Sequence, residues 1–169
     1  WEVDLFGKLL NAERSKKALL LQSKAYQQAV KTRVIASIAN TYYTLLMLDK
    51  QLEISLETAE AWKQSVETTR KLMTIGSANE SAVSSTEANY LSVQASLAEL
   101  RRQIRETENS LSLLLGQVPQ TVDRGRIDEQ ELPAHLATGV PVQLLANRPD
   151  VKQSEMSLAS AYYVTNQAY

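Results

Sequence analysis

The stretch Lys71-Leu72-Met73-Thr74-Ile75-Gly76-Ser77-Ala78-Asn79-Glu80 decides the fold. Ahead of it, residues 8–75 contain neither glycine nor proline and are rich in Ala, Leu, Gln, Lys and Glu. That composition predicts one helix over residues 5–75, roughly 100 Å long at 1.5 Å per residue, too long for a compact globule. Gly76 suits the left-handed position just past a helix end, because it has no Cβ to clash there. Ser77-Ala78-Asn79-Glu80 then reads as a capping box, with the Ser77 hydroxyl accepting from the Glu80 amide and the Glu80 carboxylate reaching back. A stop signal next to a start signal forces the chain to fold back, so residues 76–80 form a tip turn and residues 80–116 a return helix.

Heptad stepping supports the antiparallel pairing. Alternate steps of three and four from Val83 give Val83, Thr86, Tyr90, Val93, Leu97, Leu100, Ile104, Thr107, Leu111 and Leu114, all apolar except the two threonines. This is the narrow seam of a coiled coil. On the outgoing helix, stepping by four and then three from Ile38 gives Ile38, Tyr42, Leu45, Asp49, Leu52, Leu56, Ala59, Lys63, Val66, Arg70 and Met73. Lys63 and Arg70 make that seam weaken toward the turn. Before Ile38 the register fails at Gln28 and Lys31, which implies different neighbours there.

Leu113-Leu114-Leu115-Gly116-Gln117-Val118-Pro119 supplies a glycine terminator and a following proline, ending the return helix near Gly116. It is then about half as long as its partner, and residues 9–35 need another cover. Pro149 fits a first helical turn and Asp150 the positive helix end, so a final helix over residues 149–168 is the candidate, burying Val151, Met156, Leu158, Ala159, Tyr162 and Tyr163. Residues 117–148 hold all the prolines but one and read as an irregular insertion, with a short helix at 141–147. The fold class is all-α: a long antiparallel coiled-coil hairpin, in which one very long helix is flanked by two shorter helices stacked end to end. Residues 1–169 are treated as a single helical domain.

Composition narrows the function. The 169 residues are 44% hydrophobic and 22% charged with a formal net charge of −1, which gives no basic excess for nucleic acid. With no cysteine, disulfides and thiolate metal sites are excluded. The longest apolar run, near residues 42–48, is far short of the ~20 residues that a membrane-spanning helix needs. Trp1-Glu2-Val3-Asp4 carries no initiator Met and no basic leader, so the expectation is a segment of a longer reading frame.

Several motifs in this architecture resemble the outer-membrane factor family, the TolC-like channels of tripartite efflux pumps. Trp1-Glu2-Val3-Asp4-Leu5-Phe6-Gly7-Lys8 looks like the family segment where a barrel strand passes into the long periplasmic helix. Leu111-Ser112-Leu113-Leu114-Leu115-Gly116, followed by Pro119, is similar to its helix-ending motif. Most specific are Pro141, Leu144-Leu145, Arg148-Pro149-Asp150, Glu155 and Leu158, which resemble the family signature with Ser154 in place of the usual alanine. The resemblance covers the whole chain but about half of a family subunit; the first helix, barrel hairpin, lipid-anchor cysteine and second repeat are missing.

The resemblance implies a homotrimer that builds a β-barrel in the outer membrane, absent from this segment, and a helical barrel across the periplasm. It also implies a periplasmic adaptor protein at the helix tips and, through it, an inner-membrane pump. On that reading Gly76, Ser77, Ala78, Asn79 and Glu80 form the adaptor-docking tip, and residues 120–147 lie in an equatorial belt. Many relatives carry a Gly-x-x-Ser…Asp tip; here Asn79 and Ala82 stand in those places, so the contacts do not transfer in detail.

Against these readings stand plainer ones. The Gly76 turn works as a hairpin turn without docking anything. Tyr42, Tyr43 and Trp62 fit packing between helices better than a substrate path. His135, the only histidine, sits in a proline-rich loop near Asp123, Asp128 and Glu129, where a solvent-exposed or structural role outweighs acid–base or metal chemistry. Arg148 and Asp150 suit either a partner contact or a helix start. Arg101, Arg102, Arg105, Glu106 and Glu108 read as a solvated face. No phosphate loop, zinc motif or nucleophile elbow is present, so no catalytic residue, cofactor site or metal site is expected, and no enzyme. The favoured function is a passive channel segment. The alternatives are a periplasmic adaptor hairpin, which should carry a flanking lipoyl-like β-rich segment, and a coiled-coil scaffold, which would not need the signature from Pro141 to Leu158.

Overall fold

A computed structural model describes residue 4, residues 7–131 and residues 145–168. Its helices are α1 (Lys8–Thr74), α2 (Glu80–Leu114) and α3 (Pro149–Ala168), with a 3-10 turn at Ile127–Glu129. There is no strand among the described residues. The fold is all-α. Contacts group the chain into two compact units: Trp1–Ala36 with Pro133–Tyr169, and Ser37–Leu132.

Helix α1 is 67 residues long and runs without a break past Gln28 and Asp49, as the absence of glycine and proline predicts. It starts at Lys8, not at the expected position 5. Gly7 has a φ of +72°, which no helix interior accommodates, and the Asp4 carboxylate accepts from the Leu10 amide at 3.0 Å. That hydrogen bond holds the Asp4 carboxyl below its ordinary value.

The turn combines two caps. Gly76 has a φ of +79°; its amide donates to the Met73 carbonyl at 3.0 Å and the Ser77 amide to the Leu72 carbonyl at 2.8 Å, the paired bonds of a Schellman motif. Ser77 therefore belongs to the end of α1, and the Ser77–Glu80 capping box is not formed. Asn79 caps α2 instead, in extended backbone, its Oδ1 accepting from the Ala82 amide at 2.9 Å. A single residue, Ala78, separates the stop from the start. Helix α2 ends the same way at Gly116, whose φ is +68°, with Gln117 donating to the Ser112 carbonyl at 2.9 Å.

Within the unit Ser37–Leu132, α2 packs along α1 around a leucine-rich core. Leu45 and Leu48 of α1 meet Leu100, Ile104 and Leu111 of α2, with Ile38, Tyr42, Leu52 and Val122 packed against them. Val83 and Leu97 are buried and Tyr90 half-buried, so the α2 seam lies where its heptads place it. The α1 seam does not. Tyr42, Leu46, Asp49, Lys50, Glu53 and Ser65 are buried or half-buried, but the series that stays so without a break runs Ile38, Thr41, Leu45, Leu48, Leu52, Ser55, Ala59, Trp62, Val66 and Thr69. Stepping by three first, not by four, yields this set, and none of its members is charged. Leu56, Lys63 and Arg70 are exposed. The apparent weakening toward the turn came from the wrong phase. Trp62 is half-buried in this seam, whereas Tyr43 is exposed.

The other unit pairs the first part of α1 with α3, antiparallel, through small side chains. Ser15, Ala18 and Ala25 are buried, as is Ser160, and the Ser15 and Ser160 hydroxyls share a hydrogen bond of 3.0 Å. The Arg14 guanidinium stands 6.0 Å from the centre of the Tyr163 ring. Val151, Met156, Ala159 and Tyr163 are half-buried as expected, but Leu158 is 73% exposed and Tyr162 is also exposed. Small residues let the backbones approach closely and turn the bulky ones outward.

Candidate functional site

The tip is built by Gly76 and the two caps around it. A left-handed glycine and an Asx cap fix the backbone of residues 75–79, so the surface they present is set by conformation and not by bulk. Ser77, Asn79 and Glu80 are exposed and Ala78 is half-buried. The Asn79 carboxamide is engaged at the Ala82 amide, so its acceptor is already in use for folding. Ile75, which the sequence reading did not select, is 72% exposed beside Gly76. A large aliphatic residue immediately before a helix-ending glycine is the signal that could have found it. With Leu72 and Met73 also exposed, the tip offers apolar contact area beside polar backbone groups.

The signature residues Arg148, Pro149 and Asp150 sit at the start of α3. Arg148 clasps Asp150 through two hydrogen bonds, Nε to Oδ1 at 3.1 Å and Nη2 to Oδ2 at 2.6 Å, and its carbonyl accepts from the Lys152 amide at 3.1 Å. The guanidinium holds the Asp150 carboxyl below its usual range. Pro149 occupies the first helical position, where its missing amide costs nothing. This geometry serves a helix start. Glu155 is exposed and shares a groove with Lys24, Gln28 and Met156, while the Leu145 carbonyl accepts from the Arg148 amide at 3.1 Å. Pro141, Leu144, His135 and the helix expected at 141–147, apart from its last three residues, lie outside the described residues.

A third cluster was missed. Arg124, in the segment after α2, donates to both carboxylate oxygens of Asp49 on α1 and, through Nη1, to Glu108 of α2 at 2.5 Å. Glu108 is 7% exposed, so it does not belong to the solvated face on which Arg101, Arg102, Arg105 and Glu106 do lie. Paired with Asp49 first and Glu108 second, the guanidinium is held more firmly protonated than a free one. Lys50 reaches Asp128 at 2.8 Å, and Arg126 reaches Glu53 at 3.1 Å. The signal lay in Asp49, a charge sitting one position after Leu48 on the seam.

Chemically, these places can bind surfaces and hold chain segments. Among the described residues no group of His, Cys, Asp and Glu is arranged to hold a metal ion, and no helix is long and apolar enough to cross a membrane.

Residues 1–117 match the family model described as outer membrane efflux protein. The chain is 29% identical over 166 residues to the cation efflux system protein CusC of Escherichia coli O6:H1, covering 95% of this chain and 35% of CusC. Among solved structures, the outer-membrane channel OprN superposes with a TM-score of 0.92 at 29% identity, over 99% of this chain and 38% of that one. The outer membrane protein VceC of Vibrio cholerae superposes with a TM-score of 0.84 at 26% identity, over 99% and 40%. The chain thus spans little more than a third of the length of the proteins it matches. Its helical pairing, its glycine-ended helices and a family match over more than half its length agree: the chain belongs to the outer membrane efflux protein family.

Proposed function

We propose that the protein containing this chain is the outer-membrane channel of a tripartite efflux pump, and that this chain forms part of its periplasmic helical conduit. The protein works as a homotrimer, docks a periplasmic adaptor through residues 75–80 and connects through it to an inner-membrane pump. It carries substrate passively and catalyses nothing. The likeness to OprN and CusC, an outer-membrane channel and a cation efflux protein by name, supports this reading.

The observation that carries it is the placing of exposed apolar residues on α1. Taking 100° per residue, the seam toward α3 (Ser15, Ala18, Ala25) is flanked on one side by Leu19, Tyr26 and Val30 and on the other by Leu10, Leu21 and Ile35, all exposed, with Leu9, Leu20 and Val34 exposed on the face away from α3. A helix that packs on one partner needs one apolar stripe; a helix in the wall of a closed barrel needs neighbours on both flanks. In the full-length protein, Leu19→Glu with Val30→Glu is expected to reduce the trimer fraction, measured by light scattering in detergent, about tenfold or more, since two carboxylates would be desolvated at each contact. An unchanged trimer with normal efflux would remove the barrel-wall assignment.

A further inference from the structure

Residues 120–129 lie on the α1–α2 hairpin as a strap with few apolar anchors. Val122 packs against the leucine core and Ile127 is half-buried near Leu46; Arg124 is the only other member that is not exposed. Apart from a long hydrogen bond from the Ser112 hydroxyl to the Gln120 carbonyl, 3.5 Å, the remaining attachments to the hairpin are ionic. Arg124 meets Asp49 of α1 and Glu108 of α2 while also donating to the Val122 carbonyl at 2.9 Å. Lys50 of α1 bridges Asp128 of the strap and Glu53 of its own helix, at 2.8 and 3.1 Å, and Arg126 reaches Glu53. In the clamp the Arg124 and Glu108 side chains are 14% and 9% exposed and that of the forked partner Asp49 36%, whereas in the other pairs both side chains, of Lys50, Arg126, Glu53 and Asp128, are a third exposed or more. Buried, forked pairs hold position; exposed point-charge pairs contribute little.

We propose that Arg124 is a three-way clamp that ties α1, α2 and the strap together, and that the strap is a charge-held element which leaves the hairpin as a unit, uncovering Leu46, while the hairpin stays folded. The guanidinium makes four hydrogen bonds here, a two-pronged fork to Asp49 and one bond each to Glu108 and the Val122 carbonyl; a lysine ammonium has three donors and no planar fork to match the Asp49 carboxylate. Leu46 is 1% exposed and lies beside Gly125 and Ile127, so strap release would present an aliphatic surface that the closed form hides.

The test is hydrogen exchange on the full-length protein. Arg124→Met combined with Asp49→Asn and Glu108→Gln removes the clamp without stranding a buried charge. The strap amides should then exchange about tenfold or more faster, while the amides of α1 near Leu45 and of α2 near Leu100 change by less than about threefold. Arg124→Lys, which keeps the charge and loses the fork, should give an intermediate strap rate, and Lys50→Met should change it by less than about threefold. Equal acceleration of strap and hairpin would make Arg124 an ordinary core stabiliser and overturn the separable strap. An unchanged strap rate would show that Val122 and Ile127 hold it and would overturn the clamp.

Discussion

Leu45→Ala is expected to destabilise the α1–α2 hairpin by about 2–5 kcal/mol, the range for truncating a fully buried leucine whose surroundings cannot collapse into the gap. Leu45 is 0% exposed and belongs to the cluster with Leu48, Leu100, Ile104 and Leu111, which joins side chains of both helices. Hydrogen exchange at the α2 amides of residues 97–111 in the full-length protein should accelerate roughly 30-fold or more. Leu56→Ala is the comparison that discriminates, because the four-first stepping puts Leu56 on the seam and the observed packing leaves it exposed. A change within about 0.5 kcal/mol is expected there. Comparable losses at both positions would contradict the seam described above.

Gly76→Val should abolish efflux and adaptor crosslinking together while leaving the protein folded and inserted. The φ of +79° is a conformation that a β-branched residue adopts only under strain, costing on the order of 1–3 kcal/mol. Nothing lies within 4 Å of a Cβ built at Gly76, so there is no clash to add to the strain. The long α1–α2 seam holds the hairpin against a cost of that size. The turn, however, would move away from the left-handed geometry that places Ile75, Ser77 and Ala78, and a small tip contact has little area over which to absorb a misfit. Glu106→Gln, which removes an exposed pair with Arg102, should leave efflux and crosslinking intact. The readouts are an efflux assay and adaptor crosslinking at matched abundance; normal values of both in Gly76→Val would reduce the turn to architecture.

Much of the fold was legible because its signals are local. Glycines at 76 and 116 mark helix ends by a conformational requirement that no neighbour can override, and a glycine- and proline-free stretch leaves α1 no place to break. The α2 seam could be read because its apolar residues occupy a single phase. The α1 seam could be read only by comparing phases: both include Leu45, Leu52, Ala59 and Val66, and the absence of charge on Thr41, Leu48, Ser55, Trp62 and Thr69 is what separates them. At the tip, Ser77 and Asn79 are both good caps by type, and the choice fell to Asn79 because the Ser77 amide closes the preceding helix. The pairing of α1 with α3 was legible, but its contact residues only in part. It runs through Ser15, Ala18, Ala25 and Ser160, while a reading that looks for bulky apolar residues selects Leu158 and Tyr162, which point outward. The Arg124 cluster depends on residues 75 and 16 positions apart in sequence, which no periodicity brings together.

The most direct measurement is photo-crosslinking in living cells with a light-activated amino acid placed at Ser77 of the full-length protein, and separately at Arg101 on the exposed face of α2. A channel that docks its adaptor through the hairpin turn gives an adaptor-sized product from position 77 and none from position 101, at equal abundance and with efflux intact. Adaptor products of equal yield from both positions, or none from position 77 while efflux proceeds, would contradict docking at this tip and with it the account of how this chain joins a pump.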